Sequence, residues 1–416
     1  MMTKEEAIAI ILAHGVAGRR ASEVPLSDAR GRALAADVSA GSDFPPFDKS
    51  TMDGYAVAAL DVASPTILPV SGRIVAGMEG APLQRGTAAK IMTGAPLPPG
   101  ADAVLPVEDT AMMHGGSHVE LRRAVKPWQN VARRGEDFRK GDVVVARGTI
   151  MDAPVLALLA MLGRDPVPSF TAPRVCVVPT GDELVPPGDA IVQPGAIYES
   201  NGTLLESQLL EVVPSLRVTR VGIARDNRAS LNAFFDVGLD HDVLVLSGGV
   251  SMGDLDLVGV LLKERGLRVA IEKVSIKPGK PFLFGDVVRT DGHVCTVFGL
   301  PGNPVSSCVT MELFVRPWLL ARLGSLAPLG ATISARLRVD RAIKAIPRTQ
   351  HVPATLRVGA DGATVSPVRW NGSGDLRGLA QANALAVLPM GTVGQDGDVV
   401  DVIMLPRRVP LPNLDS

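Results

Sequence analysis

Three polar loops carry the residue types that hold anions and the cations that balance them. They are Pro179-Thr-Gly-Asp-Glu183, Ser247-Gly-Gly-Val-Ser-Met-Gly-Asp-Leu-Asp256 and Gly299-Leu-Pro-Gly-Asn-Pro304. Gly248 and Gly249 let backbone N–H groups approach an anion, and a helix N-terminus behind them adds a favourable dipole. Lys277-Pro-Gly-Lys280, with Lys273 close by, supplies compact positive charges suited to an oxyanion or phosphate. Asp182, Glu183, Asp226, Asp254 and Asp256 would repel such a ligand unless a cation intervened. A hard divalent ion is the natural solution, because Mg²⁺ bridges carboxylates to substrate phosphates. Each feature also has a purely structural reading. Glycines turn chains, lysines are solvated, and Asp254 and Asp256 precede a helix that favours acids at its start.

A second polar group lies earlier. Asp48-Lys-Ser-Thr-Met-Asp-Gly-Tyr55 sits between apolar stretches, with Met52 and Tyr55 expected to bury and Asp53 to point outward. Asp-Gly alone is a common turn. Thr93-Gly-Ala-Pro96 and Arg133-Arg-Gly-Glu-Asp137 share that ambiguity. GxSxG, the P-loop lysine motif and a GxGxxG opening a dinucleotide-binding unit are all absent. Cys176 and Cys295 fall inside apolar runs and read as buried and inert. His293 and His351 have no metal-ligand spacing.

The elements that must position these loops follow from the apolar pattern. Thr3 and Glu6 form a capping box for a first helix, with Ala7, Ile10 and Ile11 on one face and Gly15 as its stop. From about 41 to 141, short apolar runs broken by Pro and Gly predict a β-rich insert. Residues 151–163 read as one apolar helix ending at Gly163, with Pro154 tolerated in its first turn. After Pro173, strands predicted at 174–178, 216–224, 242–246 and 295–298 alternate with helices. Asn201 and Asn227 are expected to cap two of these helices; the others run from 256 to 265 and from about 305 to 323. That rhythm predicts a parallel sheet covered on both faces. In such a sheet ligands bind beyond the carboxyl ends of the strands, where all three loops fall. Residues 324–330 read as a linker. Alternation at 333–339, 354–358 and 399–404 predicts a small β-barrel or sandwich, and 406–416 a loose tail. The fold class is therefore multidomain α/β plus β.

Composition limits the function. The chain has 416 residues, with Lys+Arg 42 against Asp+Glu 43, so no global basic field attracts nucleic acid or an anionic membrane. Aromatic residues are only 4%, too few for a base-stacking surface, so the cores rest on aliphatic side chains. Gly 43 and Pro 33 exceed the usual combined share of roughly 12% and predict many tight loops. The 3 cysteines lack CxxC spacing, which fits a reducing, cytoplasmic location. No apolar stretch approaches the ~20 residues of a membrane span, and the charged start does not resemble a signal peptide.

Taken together, the motifs resemble the molybdopterin molybdenumtransferase family, the MoeA-type proteins related to the E domain of gephyrin. The segments that carry the resemblance are Phe44-Pro-Pro-Phe-Asp-Lys-Ser-Thr-Met-Asp-Gly-Tyr-Ala56, Ile91-Met-Thr-Gly-Ala95, Arg134-Gly-Glu-Asp137, Pro179-Thr-Gly-Asp-Glu-Leu184, Ser247-Gly-Gly-Val-Ser-Met-Gly-Asp254, Lys277-Pro-Gly-Lys-Pro281 and Gly299-Leu-Pro-Gly-Asn-Pro304. They run in the family's order over most of the chain. The resemblance implies a homodimer of four-domain subunits, in which the insert of one subunit approaches the α/β site of the other. It divides the chain into an elongated linker domain (22–40 and 142–172), a β-rich insert (41–141), an α/β molybdopterin-binding domain (1–21 and 173–323) and a C-terminal β domain (331–405). It implies that adenylyl-molybdopterin and molybdate are substrates, that molybdenum enters the dithiolene with release of AMP and with Mg²⁺, and that a molybdopterin adenylyltransferase is a possible partner.

By resemblance, Asp53, Thr93, Asp137, Glu183, Lys273, Lys277 and Lys280 match catalytic positions. Ser247, Gly248, Gly249, Ser251, Pro301 and Pro304 match binding positions, and Asp226 and Asp256 match metal ligands. Arg348 and Ser373 are candidates for molybdate. Departures cluster in the last domain. Pro353 stands where many relatives carry a second Arg, His351 where an aromatic is frequent, and Gly378 where Ser is frequent. Ala132 replaces an Arg of some relatives and Leu255 an aromatic. Two other functions compete with this one. A non-catalytic scaffold would tolerate Asp53→Ala or Lys277→Ala. A molybdopterin adenylyltransferase would need only the α/β module and would consume ATP without molybdate.

Overall fold

The computed structural model describes residues 1–249, 257–330 and 332–406. Ser251, Asp254, Leu255, Asp256 and the tail from 407 lie outside the described residues, as does the first residue of the helix expected from 256.

Continuous apolar runs build the central sheet. Its order is Val218–Arg220, Val175–Pro179, Val243–Ser247, Val294–Leu300, Pro281–Val288, Leu267–Lys273. The first four strands are parallel. The last two add an antiparallel edge, so the sheet is mixed rather than parallel throughout. The edge strand escaped the sequence reading because Arg268 and Glu272 interrupt its apolar residues. The expected strand at 216–224 shortens to Val218–Arg220, with Ala224 making only an isolated bridge to Thr180.

Strand period decides which layer each side chain enters. Val175 and Val177 face a core shared with Ile11, Leu205, Leu209, Phe314 and Trp318. Cys176 and Val178 face Leu231, Phe235, Val258 and Leu261 on the other side. Burying each such aliphatic side chain contributes roughly 1.5–3 kcal/mol against chain entropy. The Cys176 thiol is pushed up to about 11 by burial alone.

The first helix, Lys4–Ala17, has the predicted capping box, with Glu6 N–H donating to Thr3 Oγ1 and Thr3 N–H to Glu6 Oε2. It does not stop at Gly15. That residue is an interior helix position, where an added Cβ would lie 2.9 Å from the Trp318 carbonyl oxygen and 3.0 Å from Ala321 Cβ. Close helix approach, not termination, accounts for this glycine. Trp318 Nε1 donates to His14 Nδ1 at 2.9 Å, so His14 Nε2 carries the proton and donates to Asp286 Oδ2 at 2.6 Å. This chain of bonds ties the first helix to the antiparallel strand. The helix Ala153–Met161 is capped by Asp152, which accepts from Val155 N–H, and has Pro in its first turn.

Residues 37–147 form a compact unit of their own. Its six-stranded sheet runs Ala103–Pro106, Gly54–Val57, Ala88–Ile91, Thr66–Ile74, His118–Leu121, Thr110–Met113. Tyr55, Val57, Leu68, Leu105 and Leu121 form its core. Tyr55 is buried as expected, but Met52 is exposed beside Asp53.

The other unit, 1–36 with 148–416, holds the central sheet and a closed five-stranded barrel. Its strands are Thr332–Leu337, Thr349–Gly359, Gly362–Pro367, Ala384–Leu388 and Val399–Met404, and pairing of the second with the fourth closes it. Ile276–Lys277 pairs in parallel with Thr349 and Gln350, which anchors the lysine turn to the barrel. No helix among the described residues is long and apolar enough to cross a membrane.

Candidate functional site

A cleft of about 920 Å³ opens beyond the carboxyl ends of the parallel strands, at the position predicted for ligand loops. Each loop contributes one wall. From the first come Thr180 and Glu183; the second supplies Ser247, Gly248 and Gly249; the third supplies Pro301, Asn303 and Pro304. Asp226 lies beside Glu183, and Lys277 and Lys280 close another side with Arg348, Trp370 and Ser373.

Gly248 has φ +100° and Gly249 φ +62°, and a Cβ at Gly248 would stand 2.5 Å from the Thr180 carbonyl oxygen. Only glycine fits this turn. Thr180 Oγ1, beside both glycines, is buried without a hydrogen-bond partner. A ligand oxygen in the cleft would satisfy it. Ser247 is committed differently. Its hydroxyl accepts from Asn201 Nδ2 at 2.9 Å and contacts Ser307 Oγ at 3.1 Å, so it braces the loop. Asn201 was expected to cap its helix. Instead it spans the site, donating also to the Gly302 carbonyl, while Glu199 Oε1 accepts from Gly202 N–H at the helix start.

The acidic wall is crowded. Asp226 N–H donates to Asp182 Oδ1 at 3.0 Å, and Arg225 Nη1 donates to the carbonyls of Asp182 and Leu184. Burial first, then the charges of Asp182 and Glu183, hold the Asp226 carboxyl above the ordinary carboxylate range. A cation there would relieve that repulsion. Among the described residues no three metal-ligating side chains converge by themselves. Asp182, Glu183 and Asp226 thus crowd one another without forming a three-ligand metal site among the described residues.

Lys277 and Lys280 are exposed on either side of Pro278-Gly279. Gly279 has φ +106° and leaves no room for a Cβ beside Thr310. Ser373 is tied to the third loop, accepting from Asn303 Nδ2 at 3.0 Å, while Val305 N–H donates to its carbonyl. Arg348 is half-buried, with Nη1 at 3.4 Å from the Ile276 carbonyl. Lys273 ends the edge strand opposite Pro281 and does not line the cleft.

Asp53, Thr93 and Asp137 belong to the 37–147 unit. Asp53 and Thr93 meet there, with Asp53 Oδ1 accepting from both the Thr93 amide and its hydroxyl. Asp137 is exposed, and its N–H donates to the Phe44 carbonyl. Sequence reasoning placed Thr180 in a ligand loop without singling it out, and missed Asn201, Tyr198 and Trp370 as cleft residues. A signal existed for Trp370, one of only 3 tryptophans, standing just before a Gly-rich polar run.

The chain is similar to known proteins over most of its length. Residues 2–163 match the MoeA N-terminal region (domain I and II), 176–321 a probable molybdopterin binding domain, and 334–405 the MoeA C-terminal region (domain IV). These regions define a multidomain α/β and β protein of molybdenum cofactor biosynthesis. The molybdopterin molybdenumtransferase 2 of Mycobacterium tuberculosis is 36% identical over 387 residues, 89% of this chain and 91% of its own. The molybdopterin molybdenumtransferase of Bacillus subtilis is 34% identical over 396 residues, 92% and 89%. A crystal structure of the molybdopterin biosynthesis moeA protein from Pyrococcus horikoshii OT3 superposes with TM-score 0.78 at 27% identity, over 97% of this chain and 100% of that one. The chain belongs to the molybdopterin molybdenumtransferase family, and it is an enzyme of that kind.

Proposed function

We propose that the enzyme inserts molybdate-derived molybdenum into adenylyl-molybdopterin and releases AMP. The observation that carries this reading is the composition of the cleft. A glycine turn with an orphaned threonine hydroxyl, two exposed lysines, an acidic pair and an Arg–Ser pair surround one space. Phosphate, cation and oxyanion each find matching chemistry there.

In this reading the Gly248 and Gly249 amides and Thr180 Oγ1 bind the phosphoanhydride, and Lys277 and Lys280 neutralise it. Asp226 and Asp256 would hold Mg²⁺, which would withdraw charge from the phosphates when bound. Arg348 and Ser373 hold molybdate, with Pro301 and Pro304 shaping the wall, Ser251 as a further binding residue and Lys273 as an outer charge. Two dithiolene sulfurs replace one oxo group, which leaves as water, and one water cleaves the phosphoanhydride. Molybdenum stays hexavalent, so no redox partner is required. Asp53, Thr93 and Asp137 act from the insert. In the homodimer implied by the resemblance, the insert of one subunit serves the cleft of the other. The cysteine pattern fits a cytoplasmic enzyme, and a molybdopterin adenylyltransferase is the natural supplier of the substrate.

The test is AMP release from adenylyl-molybdopterin with and without molybdate. Release that requires molybdate supports the reading. Release without it, or ATP consumption, favours the adenylyltransferase alternative. Mixing Asp53→Ala with Lys277→Ala protein tests the shared site, since mixed dimers should regain activity.

A further inference from the structure

A second cavity of about 400 Å³ adjoins the cleft and shares Lys277 and Trp370 with it. Ile343, Ile346 and Pro367 give it apolar walls, and His351, Lys344 and Gln350 line it too. His351 is fully buried, yet neither ring nitrogen has a hydrogen-bond partner. A buried imidazole with two orphaned nitrogens is costly unless something completes it.

We infer that this annexe receives the pterin ring of the substrate, with Trp370 against its face and His351 hydrogen-bonding its polar edge. This rests on the reading of the cleft given above.

The chemistry of the annexe selects the ligand. Burial and the charge of Lys4 push His351 down to about 3, so at neutral pH the ring is uncharged. A neutral imidazole offers one donor and one acceptor. A pterin edge offers the complementary N–H and C=O. Ile343, Ile346 and Pro367 suit the faces of a flat heterocycle, His351 suits its polar edge, and Lys277 and Lys344 suit an acceptor oxygen on that edge. Adenine is also flat, but position favours the pterin. Trp370 lines the cleft together with Arg348 and Ser373, the proposed molybdate residues. The metal must reach sulfurs carried on the pterin side of the phosphoanhydride, so the adenylyl group belongs with the glycine turn and Asp226.

Gly378 supports the arrangement. A Cβ there would stand 2.7 Å from Trp370 Cβ and 3.0 Å from the Arg369 carbonyl. The missing side chain is what lets Trp370 hold its place. Positions 351 and 378, both departures noted in the sequence, thus bear on one cavity.

The experiment titrates 6-hydroxymethylpterin and AMP separately into the full-length protein, comparing wild type with His351→Phe and Trp370→Ala. The inference expects pterin affinity to fall about tenfold in each variant, the cost of leaving polar groups unpaired or removing a stacking face, while AMP affinity stays within about twofold. Unchanged pterin affinity in His351→Phe, or pterin failing to bind wild type while AMP binds, overturns it. If neither ligand binds wild type, the reading of the cleft falls as well. Should His351→Phe not fold, ¹⁵N-histidine NMR of wild type decides. The His351 signal, recognised by not titrating between about pH 5 and 8, should move on adding 6-hydroxymethylpterin, and an unmoved signal overturns the inference.

Discussion

Asp53 and Thr93 are joined twice: Asp53 Oδ1 accepts the Thr93 amide at 2.7 Å and the Thr93 hydroxyl at 2.8 Å. The amide bond first, then the hydroxyl, hold the Asp53 carboxyl below its ordinary range. An exposed acid is thus fixed in both orientation and charge.

Removing the hydroxyl in Thr93→Val leaves the amide bond, so the Asp53 carboxyl should move part of the way back up. The acid limb of the pH–rate profile should shift to higher pH. The sign follows from a depressed carboxylate, whose stabilisation is present above its unfolded pKa and lost as pH falls through the folded value. Asp53→Asn should lower turnover on the order of 10²-fold at every pH.

Asp226 has the opposite sign. Its carboxyl is held high, so its ionisation weakens the metal-free protein as pH rises through the folded value. Asp226→Asn should raise the melting temperature at pH 7 without Mg²⁺, and the gain should vanish near pH 3. Added Mg²⁺ should stabilise wild type and not the variant. In wild type the Mg²⁺ needed for half-saturation should rise as pH falls, because protons and the cation compete. Calorimetric scans across pH and Mg²⁺ concentration check all of these.

Lys277 acts as an exposed point charge. Lys277→Ala should raise KM for adenylyl-molybdopterin about tenfold, as expected for losing a charge-assisted bond. The difference should shrink as salt shortens the Debye length from ~10 Å toward ~3 Å. A salt-independent effect would mean that the residue shapes the turn instead.

Gly15 lets the first helix meet Trp318 and Ala321 closely. Gly15→Val should destabilise the protein by about 1–3 kcal/mol through overpacking, read by urea unfolding. The KM values should not change, because Gly15 is not among the residues lining the cleft.

Much of the fold was legible because local signals coincided with tertiary ones. The Thr3–Glu6 box, the apolar run at Val175–Pro179 and the Asn227 cap, which accepts from Ser230 N–H, each needed only neighbouring residues. The edge strand Leu267–Lys273 was not legible, since its charged residues obscure its pattern. Asn201 read as a cap because its type fits one, but distant Gly302 and Ser247 claim its side chain. The glycine loops announced the cleft edge through spacing alone. Trp370 and His351 did not, because they line the cavities only where the barrel and the sheet loops come together. Met52 read as core by its hydrophobicity, yet it is exposed next to Asp53.

The most direct measurement counts two products of one reaction: AMP released and molybdenum bound to pterin, in single turnovers with and without molybdate. The account predicts equal amounts of both with molybdate and neither without it. AMP appearing without molybdate, or molybdenum bound while the nucleotide stays attached, would contradict the claim that one cleft couples nucleotide release to metal insertion.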